Sequence, residues 1–116
     1  LLLHSHIVPI SGMAELLLIF AARAQHIKEV IEPALSQGKW VICDRFTDAT
    51  YAYQCGGRGI QSGLVNQLEH LVQNGLCPDQ TILMDAPVEV GMSRARSRGA
   101  LDRFERESQE FFERVR

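Results

Sequence analysis

Between Met13 and Leu35 the apolar residues Leu16, Leu17, Phe20, Ile27, Val30, Ile31 and Ala34 recur at three- and four-residue steps. That spacing gathers them on one stripe of a helix, the stripe that packs inward. Ser11 stands ahead of it with a hydroxyl suited to capping, and Gly38 follows as a stop. Pro33 has no backbone N–H to donate and should kink the last turns. The pattern then changes. Trp40-Val41-Ile42-Cys43 is a short continuous apolar run ending at Asp44, as expected of a strand covered on both faces. Residues 45–62 carry Gly56, Gly57 and Gly59 among polar side chains and begin as a loop. A second amphipathic helix is expected over about Leu64 to Val72, closed by Asn74-Gly75 and kept closed by Pro78. Thr81-Ile82-Leu83-Met84 repeats the buried-strand pattern and again ends in an acid, Asp85. A third helix starts near Val88 and is interrupted by Gly99, and Glu105 to Arg116 reads as helix once more.

Strand, crossover helix and strand at this spacing make a parallel α/β unit. Parallel pairs occur inside larger sheets with both faces covered, so two strands imply that the rest of the sheet is missing from this chain. A first residue of Leu in place of Met gives the same expectation, a chain that begins inside a longer sequence. No internal repeat or low-complexity segment is present.

Length and composition narrow the class. With 116 residues there is room for one domain and not for two. An apolar content of 46% beside 22% charged residues is that of a globular protein and argues against disorder. The longest apolar run, Leu16 to Ala22, is about a third of the roughly 20 residues that span a bilayer, so no membrane partner is expected. Leu1 to Ser11 has no basic head and no small-residue cleavage site, which argues against a signal peptide. Cys43, Cys55 and Cys77 are odd in number and lack CxxC spacing, against a disulfide framework or zinc site and for a reducing cytoplasm. A net charge of -2 provides no general pull toward nucleic acid, and none is expected as a partner. Against that background Arg94, Arg96, Arg98, Arg103 and Arg106 crowd into one short stretch.

Val41-Ile42-Cys43-Asp44 has the form of a Walker B strand. The acid emerges at the carboxyl end, where open α/β sheets bind ligands, and can hold magnesium directly or through water. Alone the pattern is weak, because Asp also ends strands as a turn former. Its continuation is more specific. Asp44-Arg45 sets a metal-binding carboxylate beside a planar, permanently charged fork suited to phosphate oxygens. Thr50, Tyr53 and Gln54 then offer a hydroxyl, an aromatic face and an amide, which together can recognise a planar base bearing imide groups.

This segment resembles the signature of the bacterial thymidylate kinase family, an Asp-Arg pair followed by Tyr-Gln and Gly-Gly-Arg-Gly. Here these are Asp44-Arg45, Tyr53-Gln54 and Gly56-Gly57-Arg58-Gly59. The family's aromatic position is met by Tyr51 or Tyr53, and the Tyr-Gln register favours Tyr53. Upstream, Phe20-Ala21-Ala22-Arg23-Ala24-Gln25 is similar to the stretch in which an aromatic stacks on thymine and an Arg contacts the monophosphate. In several members that aromatic lies four residues before the Arg, where this chain has Ile19, whereas Phe20 lies three before it. One helical position is about 100° of rotation, so Phe20 has two readings, stacking on the base or filling the core. The segment from Arg94 to Glu105 resembles the family's lid, in the version that carries its catalytic arginine there. Arg94 and Arg98, four apart, share a helix face while Arg96 points elsewhere. The alternative for this cluster is a solvated basic helix paired with Glu105, Glu107 and Glu110.

The resemblance covers Leu1 to Arg116. It implies an α/β, P-loop NTPase-like fold, three layers α/β/α about a parallel sheet, with only part present. The chain is then a single partial nucleoside monophosphate kinase domain, residues 1–116, with its lid at about 94–105. The implied reaction moves the terminal phosphate of ATP to thymidine monophosphate, giving the diphosphate for DNA precursor synthesis. In it Asp44 would help hold Mg2+, and Arg45 and Arg23 would grip the acceptor phosphate. Thr50, Tyr53, Gln54 and, if it stacks, Phe20 would define the base and sugar site. Arg45 and one of Arg94, Arg96 or Arg98 would serve catalysis. Implied partners are thymidine monophosphate, ATP and a second copy of the chain, with Leu16 to Phe20 offered as dimer surface. No Gly-x-x-x-x-Gly-Lys-Ser/Thr occurs, so the amide cradle for ATP phosphates is not encoded. The chain alone is therefore expected to be inactive, an internal piece without an N-terminal phosphate loop and a closing C-terminal segment. Two other readings are a non-catalytic nucleotide- or partner-binding domain and a deoxynucleoside kinase relative. The retained acceptor and lid residues disfavour the first; Gly56-Gly57-Arg58-Gly59 and the arginine lid disfavour the second.

Overall fold

A computed structural model describes residues 10–116. The leader-free reading of Leu1 to Ser11 falls mostly outside them. Helix α1, Gly12–His26, starts where the Ser11 hydroxyl accepts the Ala14 N–H at 3.3 Å, the cap expected of that residue. Leu16, Phe20, Ile27 and Ile31 carry its stripe into the interior. Leu17 and Val30, assigned to the same stripe, are 50% and 51% exposed. Leu17 is one residue, about 100°, away from Leu16, and Val30 lies in a wider π-helical turn, Ile27–Ile31, that shifts the register. The wider turn precedes Pro33, which stands in the first turn of α2, Glu32–Ser36, where a missing N–H leaves fewest bonds unmade. Gly38 closes the helix, its N–H bonded to the Leu35 carbonyl at 2.9 Å.

Residues 45–62 do not form the loop that their glycines suggest. Thr47–Thr50 is a short helix, α3, which widens into a π-helical segment, Tyr51–Gly57. The side chains of Thr47, Thr50 and Gln54 point inward and are buried. Gly56 and Gly57 serve clearance here. A Cβ on Gly57 would collide with the Phe111 ring, and one on Gly56 would stand 2.6 Å from the Arg114 carbonyl oxygen. Helix α4, Ser62–Gln73, sets Val65 against Leu16 and Phe20, with Tyr51, Cys55, Ile60, Leu68 and Val72 packed around them. Burying each such large apolar side chain contributes about 1.5–3 kcal/mol. Asn74 ends α4 in the left-handed region, φ 46°, ahead of Gly75. Helix α5 is Val88–Arg98, stopped at Gly99, whose φ of 142° with ψ of -151° is a backbone state essentially confined to glycine. Helix α6, Gln109–Val115, begins later than Glu105 because Ser108 is its cap, accepting the Phe111 N–H at 3.2 Å.

The two expected strands are absent. Among the described residues there is no strand, and Trp40–Cys43 and Thr81–Met84 run without a ladder partner. Trp40 is 98% exposed, Ile42 96% and Leu83 87%. A strand exists only through bonds to a neighbour, and the described residues supply none to either run. Of the Leu16 to Phe20 segment offered for dimerisation, Leu16 and Phe20 are taken up by the core. No helix of the described residues is long and apolar enough to cross a membrane.

Candidate active site

The helix that buries Leu16 and Phe20 also carries Ile19, Arg23 and His26 about a quarter turn away on its flank. Together with Ala22, Cys43, Arg45 and Phe46 they line an open cleft of ≈ 300 Å³. Arg23 is held firmly there. Its Nη2 donates to the Phe46 carbonyl at 3.2 Å and to Thr50 Oγ1 at 2.8 Å. Its guanidinium lies 4.8 Å from the Phe20 ring centroid and 5.3 Å from that of Phe46. Burial pushes its pKa down, and the Cys43 and Glu69 groups oppose that shift. Its Nη1 is buried and, among the described residues, has no hydrogen-bond partner. Such an orphaned donor costs about 1–3 kcal/mol until an acceptor reaches it.

Arg45 adopts φ 65°, a left-handed conformation that costs a non-glycine residue about 1–2 kcal/mol. It sits on the cleft wall, its guanidinium 5.0 Å from the Tyr53 ring centroid. Asp44 beside it is exposed. Thr50 is buried and spends its hydroxyl on Arg23. Tyr53 packs edge-on against Phe104 and Phe111, at 6.0 and 6.1 Å between centroids. Tyr51, the other aromatic candidate, turns to α4 and donates to Glu69 Oε2 at 2.7 Å. Gln54 is fully buried and donates to Glu15 Oε1 at 2.7 Å. Phe20, 2% exposed, lies in the core, and it is Ile19 that reaches the cleft. The structure thus brings Arg23, Arg45 and Thr50 together, and points Gln54 away toward α1. Ala22, His26 and Phe46 are not among the expected site residues, and Ile19 enters the sequence reading only as the residue at the family's aromatic position. The signal for Ile19, Ala22 and His26 was the second helical stripe, 19, 22/23 and 26.

Arg94, Arg96 and Arg98 are all exposed on α5. Arg98 is paired with Glu105, and among the described residues Arg94 and Arg96 have no acidic partner. After Gly99 the chain is fixed by a reciprocal box. The Glu105 N–H donates to Asp102 Oδ1 at 2.8 Å, and the Asp102 N–H to Glu105 Oε2 at 3.1 Å. No three His, Cys, Asp or Glu side chains converge among the described residues. A lone exposed Asp44 suits magnesium, which keeps several waters and takes one or two carboxylates together with substrate phosphates.

A family model described as thymidylate kinase matches residues 2–116. The chain belongs to the thymidylate kinase family. A thymidylate kinase of Teredinibacter turnerae is 55% identical over 116 residues, all of this chain and 57% of that protein. One of Pseudomonas putida is 64% identical over 102 residues, 88% of this chain and 49% of that protein. The crystal structure of thymidylate kinase from Ehrlichia chaffeensis superposes with a TM-score of 0.73 at 36% identity, covering 94% of this chain and 50% of that one. The chain therefore spans about half the length of the thymidylate kinases it matches. Its helices have the arrangement of that part of a solved thymidylate kinase.

Proposed function

We propose that the full-length protein carrying this chain is an ATP-dependent thymidine monophosphate kinase, and that the Arg23–Arg45 cleft receives the acceptor monophosphate. The observation that supports it is the buried, unpartnered Arg23 Nη1 in a cleft that also presents Arg45, within a chain of this family. An anionic oxygen would satisfy that donor, and two guanidinium groups offer planar forks for phosphate. Ile19 and Phe46 supply apolar wall for a base, and Tyr53 braces Arg45. Arg94 and Arg96 reach the transferring phosphate from the lid, while Arg98 is committed to Glu105. Little covalent chemistry falls to the protein in phosphoryl transfer, so positioning and fixed charge supply the rate. Asp44 would hold magnesium, which when bound neutralises charge on the phosphate oxygens.

Trp40–Cys43 and Thr81–Met84 are, in this proposal, strands of a parallel sheet in a P-loop NTPase-like α/β/α fold. The exposure of Trp40, Ile42, Ile82, Leu83 and Met84 supports that. A second copy of the protein is the proposed partner, supported by exposed Met13, Leu17, Val30 and Leu35 along one long helical rod. Three free cysteines fit a reducing cytoplasm. A coupled assay of the full-length protein with ATP, magnesium and thymidine monophosphate tests the reaction. Turnover of about 1–100 per second is expected. Preference for an unphosphorylated deoxynucleoside over the monophosphate would overturn it.

A further inference from the structure

Glu15 is a carboxylate at 1% exposure in the first turn of α1, and it appears in none of the roles above. A buried carboxylate is costly unless its oxygens are fully engaged. Both are. Oε1 accepts from Gln54 Nε2 at 2.7 Å and from Arg58 Nε at 3.3 Å, and Oε2 accepts from Arg103 Nη2. Arg58 passes its other side to Glu107 Oε1 at 2.6 Å. Two arginines thus face two carboxylates, a balanced cluster. The Phe104 ring lies 4.4 Å from the Arg103 guanidinium and 5.8 Å from that of Arg58. The donors come from different parts of the machinery. Gln54 and Arg58 flank the Gly56-Gly57 pair on the element that bears Tyr53, the support of Arg45. Arg103 lies in the lid, on the turn built by the Asp102–Glu105 box, whose Glu105 in turn holds Arg98.

We propose that Glu15 is a positioning residue that ties the lid, through Arg103, to the Tyr53–Arg58 element and so fixes the lid arginines relative to the Arg23–Arg45 cleft. The proposal rests on the kinase reading for its kinetic consequence, though not for the contact itself. Without the charge on Glu15, Arg103 loses one anchor and α5 pivots at Gly99. The lid arginines then spend less time over the cleft, whose own residues are unchanged.

The test uses the full-length protein, with Glu15→Gln, Arg103→Gln and the double variant. Displacement of a group by about 1 Å can cost a hundredfold in rate, so Glu15→Gln should lower kcat about ten- to a hundredfold while KM for thymidine monophosphate changes less than about threefold. The double variant should be no slower than the slower single one, because both remove the same tie. Trypsin cleavage within residues 94–106 should rise at least about fivefold in Glu15→Gln under conditions where it remains folded, since cleavage follows the open population. Thermal unfolding would be followed alongside. A fall in melting temperature with kcat, KM and lid cleavage all unchanged would overturn the proposal, as would multiplicative effects of the two single variants. Absence of thymidine monophosphate phosphorylation in the parent protein would instead sink the kinase reading, and the trypsin arm would still decide whether Glu15 holds the lid.

Discussion

Glu15 shows how neighbours decide what a buried acid does. Burial pushes its pKa up, but the hydrogen bonds from Gln54 and Arg103 and the charges of Arg58 and Arg103 outweigh that, leaving it below its ordinary value of 4.5. A depressed carboxyl contributes stability that is fully present above the unfolded value and is lost as pH falls through the lower folded one. Glu15→Gln keeps an acceptor and removes the charge, so it should destabilise the full-length protein by about 1–3 kcal/mol at neutral pH. Measured by thermal unfolding, the gap from the parent should hold above about pH 5 and close progressively below about pH 4. A gap constant across that range would contradict the ionic account. At the same scale Arg45 spends conformational energy on a left-handed backbone, in keeping with strain retained where a side chain must be aimed.

Among the elements, Thr47–Gly57 teaches most about what a sequence hides. Gly56 and Gly57 suggest a loop, yet they sit in a helical segment, and α6 crosses it closely enough for Arg114 Nη2 to donate to the Gly57 carbonyl at 3.1 Å. That contact joins residues far apart in the chain, so no local pattern announces it. Gly57→Ala should push Phe111 off its site and cost about 1–3 kcal/mol, read by chemical denaturation, with Gly63→Ala, which meets open space, as the near-neutral control. Equal losses in the two variants would contradict close packing there. Gln54 was hidden for the same reason, since its inward turn depends on Glu15 in another helix. By contrast α1 and α4 were legible from their period, and Ser11, Asn74 and the stop of α5 at Gly99 from local chemistry that needs no distant partner. Arg45, on the cleft wall, was legible from its place after an apolar run, and the stripe of Ile19, Ala22 and His26 was not, because its apolar members are few.

For the whole molecule, the apolar runs Trp40–Cys43 and Thr81–Met84 have the composition of buried strands and the exposure of loops. Strand pairing is non-local, so the sequence could announce the runs and not the neighbours that complete them. Trp40 is the only tryptophan, which makes the point measurable. Its emission should be that of a water-exposed indole in the 116-residue chain and shifted to the blue in the full-length protein; identical spectra would argue against a sheet completed by further chain. The central claim is that the Arg23–Arg45 cleft takes the acceptor phosphate. Replacing Arg45 by Lys preserves charge and removes the planar fork. Loss of a charge-assisted hydrogen bond costs about 1.5–3 kcal/mol, or roughly ten- to more than a hundredfold in binding. Calorimetric titration of the full-length protein and its Arg45→Lys variant with each nucleotide is the direct measurement. Thymidine monophosphate should bind weaker by that factor with ATP affinity unchanged, whereas equal weakening of both nucleotides, or of neither, would contradict the assignment.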